Sequence, residues 1–117
     1  MIAVLEKTVT LSQLFDFYGG LLTPRQQEIM RYYFYDDFSL GEIAENLDIS
    51  RQGVHDHLQR AEKQLREFEE ILGLLESYHD LQEETDYLLE KLKGEKPIVR
   101  EERRDLIEAV KRIKNCL

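Results

Sequence analysis

One cysteine, Cys116, stands in the whole chain, so neither an internal disulfide nor a cysteine-built metal cage can form. Only two prolines and six glycines interrupt 117 residues, which leaves few places where a helix must stop. No apolar run approaches the roughly 18 residues of a membrane-spanning helix. Sustained strand-like alternation is missing as well. The opening MIAVLEKTVTLSQLF has neither a basic segment nor a small-residue cleavage site, so no secretory signal is expected and the chain reads as cytoplasmic. Catalytic signatures are lacking too: no GxGxxG, no phosphate-binding loop, no HExxH and no nucleophile beside a base. The expectation is a non-enzyme without cofactor or metal.

What is abundant is Glu, Lys, Leu, Arg and Gln, all helix formers. With 42% hydrophobic residues the chain can bury a modest core. The reading is an all-α protein. Its net charge of −8 is unevenly spread. Residues 66–96 hold ten acids and four bases, whereas residues 50–65 hold three bases and two acids, and residues 97–117 six bases and four acids. The net charge argues against broad affinity for DNA, since phosphate contacts dominate such binding. A local basic face remains compatible with it.

The helices can be placed from periodicity and caps. Leu11, Leu14, Phe15 and Tyr18 form an i, i+3, i+4, i+7 stripe that predicts a helix over about 4–18, stopped by Gly19-Gly20. Thr23 is a good N-cap and Pro24 fits the first turn of a second helix, with Ile29, Met30, Tyr33 and Phe34 on its apolar side. Ser39 with Glu42 makes a capping box for a third helix ending near Leu47. Asp48-Ile49 turn the chain, and Ser50 caps a long fourth helix from Arg51. Helix, short turn, helix is the helix-turn-helix layout.

In the fourth helix Leu58, Ala61, Leu65, Phe68, Leu72 and Leu75 follow heptad spacing. An offset series, Ile71, Leu74, Tyr78, Leu81, Thr85, Leu88 and Leu92, follows, with a break expected at Gly73. GEKP at 94–97 marks a turn before a last helix over about 100–114, with Leu106, Ile107, Val110 and Ile113 inward. Two parts result: a helix-turn-helix domain over 1–68 and an acidic helical hairpin over 69–117. The two leucine seams suggest that the hairpin packs or dimerises, giving a homodimer.

Other features have plainer readings. His55 and His57 lie two apart on a helix and cannot chelate one ion, so His57 reads as a half-buried structural histidine. The acidic run ESYHDLQEETDY, residues 76–87, is either a solvated face or a dock for a basic partner. Tyr32, Tyr33, Phe34, Tyr35 and Phe38 read mainly as a core cluster, with base stacking as the alternative.

The stretch LTPRQQEIM through SLGEIAENLDISRQGVHDHLQRAEKQL resembles region four of bacterial sigma factors, at Leu22-Thr23, Arg25, Ile43-Ala44, Leu47, Ile49, Ser50-Arg51, Val54, Arg60-Ala61 and Leu65. That likeness covers residues 22–65. Over nearly its full length, through FYGGLLTPRQ and YYFYDDFSLGEIAE and the acidic tail, the chain resembles the YlxM family of small bacterial proteins. The resemblance implies DNA binding and a link, through gene neighbourhood, to the signal recognition particle pathway.

On that template Ala44 is small where the two helices cross, and Ile43, Leu47, Ile49, Val54 and Leu58 fill the core. Arg51, Gln52, His55, Asp56 and Gln59 point outward. Arg can contact guanine bidentately and Gln adenine. Ser50 at the helix start, Arg25 and Arg60 suit backbone phosphate. The candidate nucleic-acid-binding set is therefore Arg25, Ser50, Arg51, Gln52, His55, Gln59 and Arg60. Departures from the sigma pattern weaken the face: Gly53 and His55 stand where Arg is usual, Asp56 where Gln is, and Asp48 where Gly is frequent. Two functions fit. One is a nucleic-acid binder, for DNA or signal recognition particle RNA. The other is an adaptor that docks on the particle's GTPase or RNA without reading DNA.

Overall fold

The computed structural model describes residues 9–116. Among them are the α-helices α1 (Val9–Tyr18), α2 (Pro24–Phe34), α3 (Leu40–Leu47), α4 (Arg51–Leu72), α5 (Leu74–Lys93) and α6 (Arg100–Cys116), and no strand. A single 3-10 turn, Gly19–Leu21, follows α1. Residues 4–8 of the expected first helix lie outside the described residues.

Caps fix the starts of α2, α3 and α4. At α2, the Thr23 hydroxyl accepts from the Gln26 backbone N–H at 3.2 Å, and Gln26 Oε1 accepts from the Thr23 N–H at 3.0 Å. This reciprocal box also satisfies Gln26, which is buried. Ser39 and Glu42 make the same exchange at 3.1 Å each way. Ser50 Oγ accepts from the Gly53 N–H at 2.9 Å. Each cap satisfies amides that the first turn of a helix leaves without intrahelical partners.

The core of the first unit gathers around α4. Val54, Leu58, Ala61 and Leu65 recur every three or four residues along it and are fully buried. Leu11, Leu14, Phe15 and Tyr18 of α1, Ile29 and Met30 of α2, and Ile43 and Ala44 of α3 complete that core. α1, α2 and α3 each pack on α4. Tyr18 anchors the far end: its ring lies 6.0 Å from that of Phe68, and its hydroxyl donates to Glu69 Oε1.

Beyond Leu65 the expected seam is interrupted. Phe68 is half-buried and Leu72 exposed, while Leu75, on α5, is buried; Ile71, the first of the offset series, is 79% exposed. The helix nevertheless continues through residue 68 to Leu72, so the two compact units divide between Gly73 and Leu74. Gly73 ends α4 in the left-handed conformation, φ 62°, with its N–H bonded to Glu69 O at 2.8 Å. Glycine takes that conformation without a Cβ clash, which is why the break falls there.

In the second unit α5 and α6 pack together. Leu106 and Ala109 are buried and Ile113 is half-buried. Ile107 and Val110, expected inward, are exposed. The inward stripe of α6 is i, i+3, i+7 from Leu106, and Ala109 takes the close approach, which turns Ile107 and Val110 to the flank. Of the offset series, Leu81 and Leu88 are half-buried, while Leu74, Tyr78, Thr85 and Leu92 are exposed.

Candidate nucleic-acid interface

The motif is built by α3, the turn Asp48–Ser50 and α4. Asp48 takes the left-handed conformation at the end of α3, φ 53° and ψ 48°. Its backbone N–H reaches Glu45 O at 3.4 Å, and that of Ile49 reaches Ala44 O at 3.1 Å. Asp is one of the few side chains that tolerate this conformation, so it serves where glycine is frequent. Ile49 is then half-buried, and Ser50 stands extended at the mouth of α4. Ala44, nearly buried, lets the two helices approach.

Along α4 the structure leaves Arg51, Gln52, Gln59 and Arg60 exposed and His55 half-exposed; Gln52, His55 and Gln59 turn away from the core, whereas Arg51, three residues before buried Val54, lies on the flank toward α3 and Arg60 on the other flank. Ser50 is exposed too; its oxygen accepts the cap bond, which does not consume its hydroxyl proton. Asp56 lies in the middle of this face. Gln52 Nε2 donates to Asp56 Oδ1 at 3.0 Å, and His55 Nδ1 lies 3.4 Å from the same oxygen. These bonds, with the Gln52 contact foremost, lower the Asp56 pKa, so the carboxylate is held charged on the very face that would meet phosphate. Arg60 Nε donates to the Asp56 backbone carbonyl at 3.4 Å, which lays its side chain back along the helix.

Arg25 belongs to the first turn of α2, where its Nη1 is 3.8 Å from Glu28 Oε1. Burial foremost, then the positive charges of Arg60 and Arg25, push the His57 pKa down. Arg25 and Arg60 are thus close enough for both to act on His57, which is half-buried and turned away from the outward face. Among the described residues no group of His, Cys, Asp and Glu is placed to hold a metal ion.

The aromatic run does not form one cluster. Tyr32 and Phe38 stack with centroids 5.1 Å apart and planes 7° apart. Tyr33 and Phe34 meet edge-on at 5.4 Å. Tyr35 turns to α1, with its ring 5.7 Å from Phe15 and its hydroxyl donating to Asp16. Consecutive helical residues diverge by about 100°, so they cannot share one site. In the acidic run, Glu84 is held by Arg112 in a two-point pair at 2.7 and 3.1 Å. Its charge is therefore answered within its own unit.

Sequence reasoning missed three of these contacts. The Thr23–Gln26 box was visible as an S/T-x-x-E/Q pattern. The Glu84–Arg112 pair, 28 residues apart, left no local signal. Nor did the contact between Gly41 and Arg51: the Arg51 guanidinium lies over Gly41 on the first turn of α3.

A capped α3, a left-handed turn and a long capped α4 with a polar outward face define a helix-turn-helix protein. The model of the UPF0122 family, described as "Putative helix-turn-helix protein, YlxM / p13 like", matches residues 5–111. The chain belongs to that family. UPF0122 proteins of Bacillus cereus strain AH187, Bacillus anthracis strain A0248 and Bacillus thuringiensis subsp. konkukian strain 97-27 are each 44% identical to it over 113 residues. Those alignments span 94% of this chain and 99% of each relative. No helix among the described residues is long and apolar enough to cross a membrane.

Proposed function

We propose that the chain is a cytoplasmic nucleic-acid-binding protein that acts by contact rather than catalysis, with the outward face of α4 as its working surface. The observation that carries this reading is the exposure of Arg51, Gln52, Gln59 and Arg60, with His55 half-exposed, along the first half of a helix whose Val54–Leu65 stripe is fixed in the core. In this reading Arg51 and Gln52 meet base edges or phosphate at the start of the helix. Ser50, Arg25 and Arg60 fix the register on the backbone. The family resemblance supports a regulatory role linked to the signal recognition particle, with its RNA as one target and DNA as the other.

A second reading has a specific observation in its favour. Asp56 stands charged at the centre of the face, which suits a basic protein partner better than a phosphate. The partner in this reading is the particle's GTPase, with the acidic residues of α5 as a further contact. Exposed Leu74, Tyr78, Leu92, Ile107 and Val110 of the second unit support a homodimer in either case.

The test is fluorescence anisotropy with random duplex DNA and with signal recognition particle RNA across a salt series, beside Arg51→Ala. Binding that falls steeply with salt and weakens in the variant supports the first reading. Absence of binding to either at low salt sinks it. A complex with the GTPase that persists in a Glu83→Lys, Asp86→Lys variant would remove the acidic helix from the second.

A further inference from the structure

Gly41 occupies the second position of α3, within the Ser39–Glu42 capping box. Its backbone gives no reason for glycine. Gly73 alone among the described glycines has a positive φ, so Gly41 holds an ordinary conformation open to any residue. Glycine there weakens the helix relative to alanine. The space above it supplies the reason. A Cβ at Gly41 would stand 2.8 Å from Arg51 Nη2, 3.1 Å from Nε and 3.2 Å from Cζ.

Cζ is the farthest of the three atoms, so the part of the guanidinium plate that lies against Gly41 is its Nε–Nη2 edge. Its N–H donors all lie in the plane and point outward from the rim. With the Nε–Nη2 edge against α3, the Nη1 end of the rim is left to donate to an anion. Among the described residues Arg51 makes no ion pair, so no carboxylate competes for those donors.

We propose that Gly41 is a positioning residue for nucleic-acid binding: its missing side chain leaves the room in which the Arg51 guanidinium lies across the turn, its Nε–Nη2 edge on α3 and its Nη1 end free for a phosphodiester. This rests on the reading of α4 as the nucleic-acid surface. Arg51 contacts the ligand; Gly41 acts only through Arg51. A pre-set guanidinium loses less side-chain freedom on binding than a mobile one.

The experiment is a double-mutant cycle on the full chain: wild type, Gly41→Ala, Arg51→Ala and the double variant. Each is titrated by anisotropy with a fluorescent random-sequence duplex DNA over a salt series. Arg51→Ala is expected to weaken binding on the order of tenfold and to flatten the salt slope by about one phosphate contact. Gly41→Ala is expected to lose affinity in the same direction while melting no lower than wild type, because only a flexible side-chain end has to move. In the Arg51→Ala background Gly41→Ala has no further effect. In an Arg51→Lys background, which has no guanidinium plate for a Cβ at position 41 to displace, it again has none.

Loss in Arg51→Ala with no loss in Gly41→Ala overturns the inference and leaves the nucleic-acid reading intact. Equal added losses by Gly41→Ala in all backgrounds overturn it too, since Gly41 then acts without Arg51. If Arg51→Ala binds as wild type does, the use of Arg51 in the nucleic-acid reading fails, and the role of Gly41 fails with it.

Discussion

Gln52 donates a hydrogen bond to Asp56 at 3.0 Å, one helical turn further along the outward face of α4. The bond occupies one proton of the Gln52 amide and leaves its second proton and its oxygen, the pair needed to meet adenine. Asp56 thus orients a potential reading residue while placing a negative charge beside it. The two effects can be separated. Asp56→Asn removes the charge and keeps an acceptor for Gln52. Duplex affinity is expected to rise roughly three- to fivefold at low ionic strength and to converge on wild type as salt increases. Anisotropy across a salt series checks this; an unchanged affinity at low salt would mean that nucleic acid does not approach this part of α4.

Asp48 offers a test of the turn itself. Its φ of 53° is unfavourable for a side chain with a Cβ, less so for Asp than for most. Asp48→Ala loses the polar side chain that eases this conformation and is expected to destabilise by about 1 kcal/mol, a fall of several degrees in Tm. Asp48→Gly is expected to melt at or above the wild-type temperature. Thermal unfolding of the pair decides it: if both substitutions lower Tm equally, the left-handed turn is not what Asp48 provides.

Leu65 and Ile71 stand six residues apart on one helix with opposite surroundings. Leu65 has no exposed surface, whereas Ile71 is 79% exposed. Leu65→Ala opens a cavity where α4 meets the first-unit core and is expected to cost about 2–4 kcal/mol in chemical denaturation. Ile71→Ala is expected to change stability by no more than about 0.5 kcal/mol in the monomer. A large loss from Ile71→Ala that depends on protein concentration would instead indicate that a second copy covers it.

The contrast between those residues shows where sequence reasoning was sufficient. Caps such as Thr23 and Ser39, the stripe Leu11–Tyr18 and the α4 series from Val54 to Leu65 are local, so periodicity and cap chemistry expose them directly. The break at Gly73 was legible for the same reason. Heptad spacing persists beyond Phe68, the last of the series to meet Tyr18 of α1, yet Leu72 is exposed; spacing records a possible face but not its partner. Ile107 and Val110 were misplaced because Ala109, small and easily overlooked, takes the close contact. On the candidate face Gln52, His55, Asp56 and Gln59 followed from helical phase, whereas Arg51, three residues before buried Val54, lies toward α3. The Gln52–Asp56 bond and the guanidinium over Gly41 depend on rotamers and on two helices meeting, which no spacing encodes.

His57 ties pH to the stability of the first unit. Burial, aided by Arg60 and Arg25, lowers its pKa below the ordinary 6.5. The unfolded chain therefore binds a proton at a higher pH than the folded one. Above about pH 6.5 both states carry neutral imidazole and its contribution is fully present. As pH falls through that value the unfolded state is protonated first, and stability declines until the folded histidine titrates in turn. His57→Leu, similar in size and without a titrating group, is expected to remove this part of the decline while leaving other acid effects. Paired denaturation curves of wild type and variant between pH 5 and 8 check the sign. A wild type that gains stability relative to His57→Leu on acidification would show that the nearby positive charges and burial do not govern this histidine.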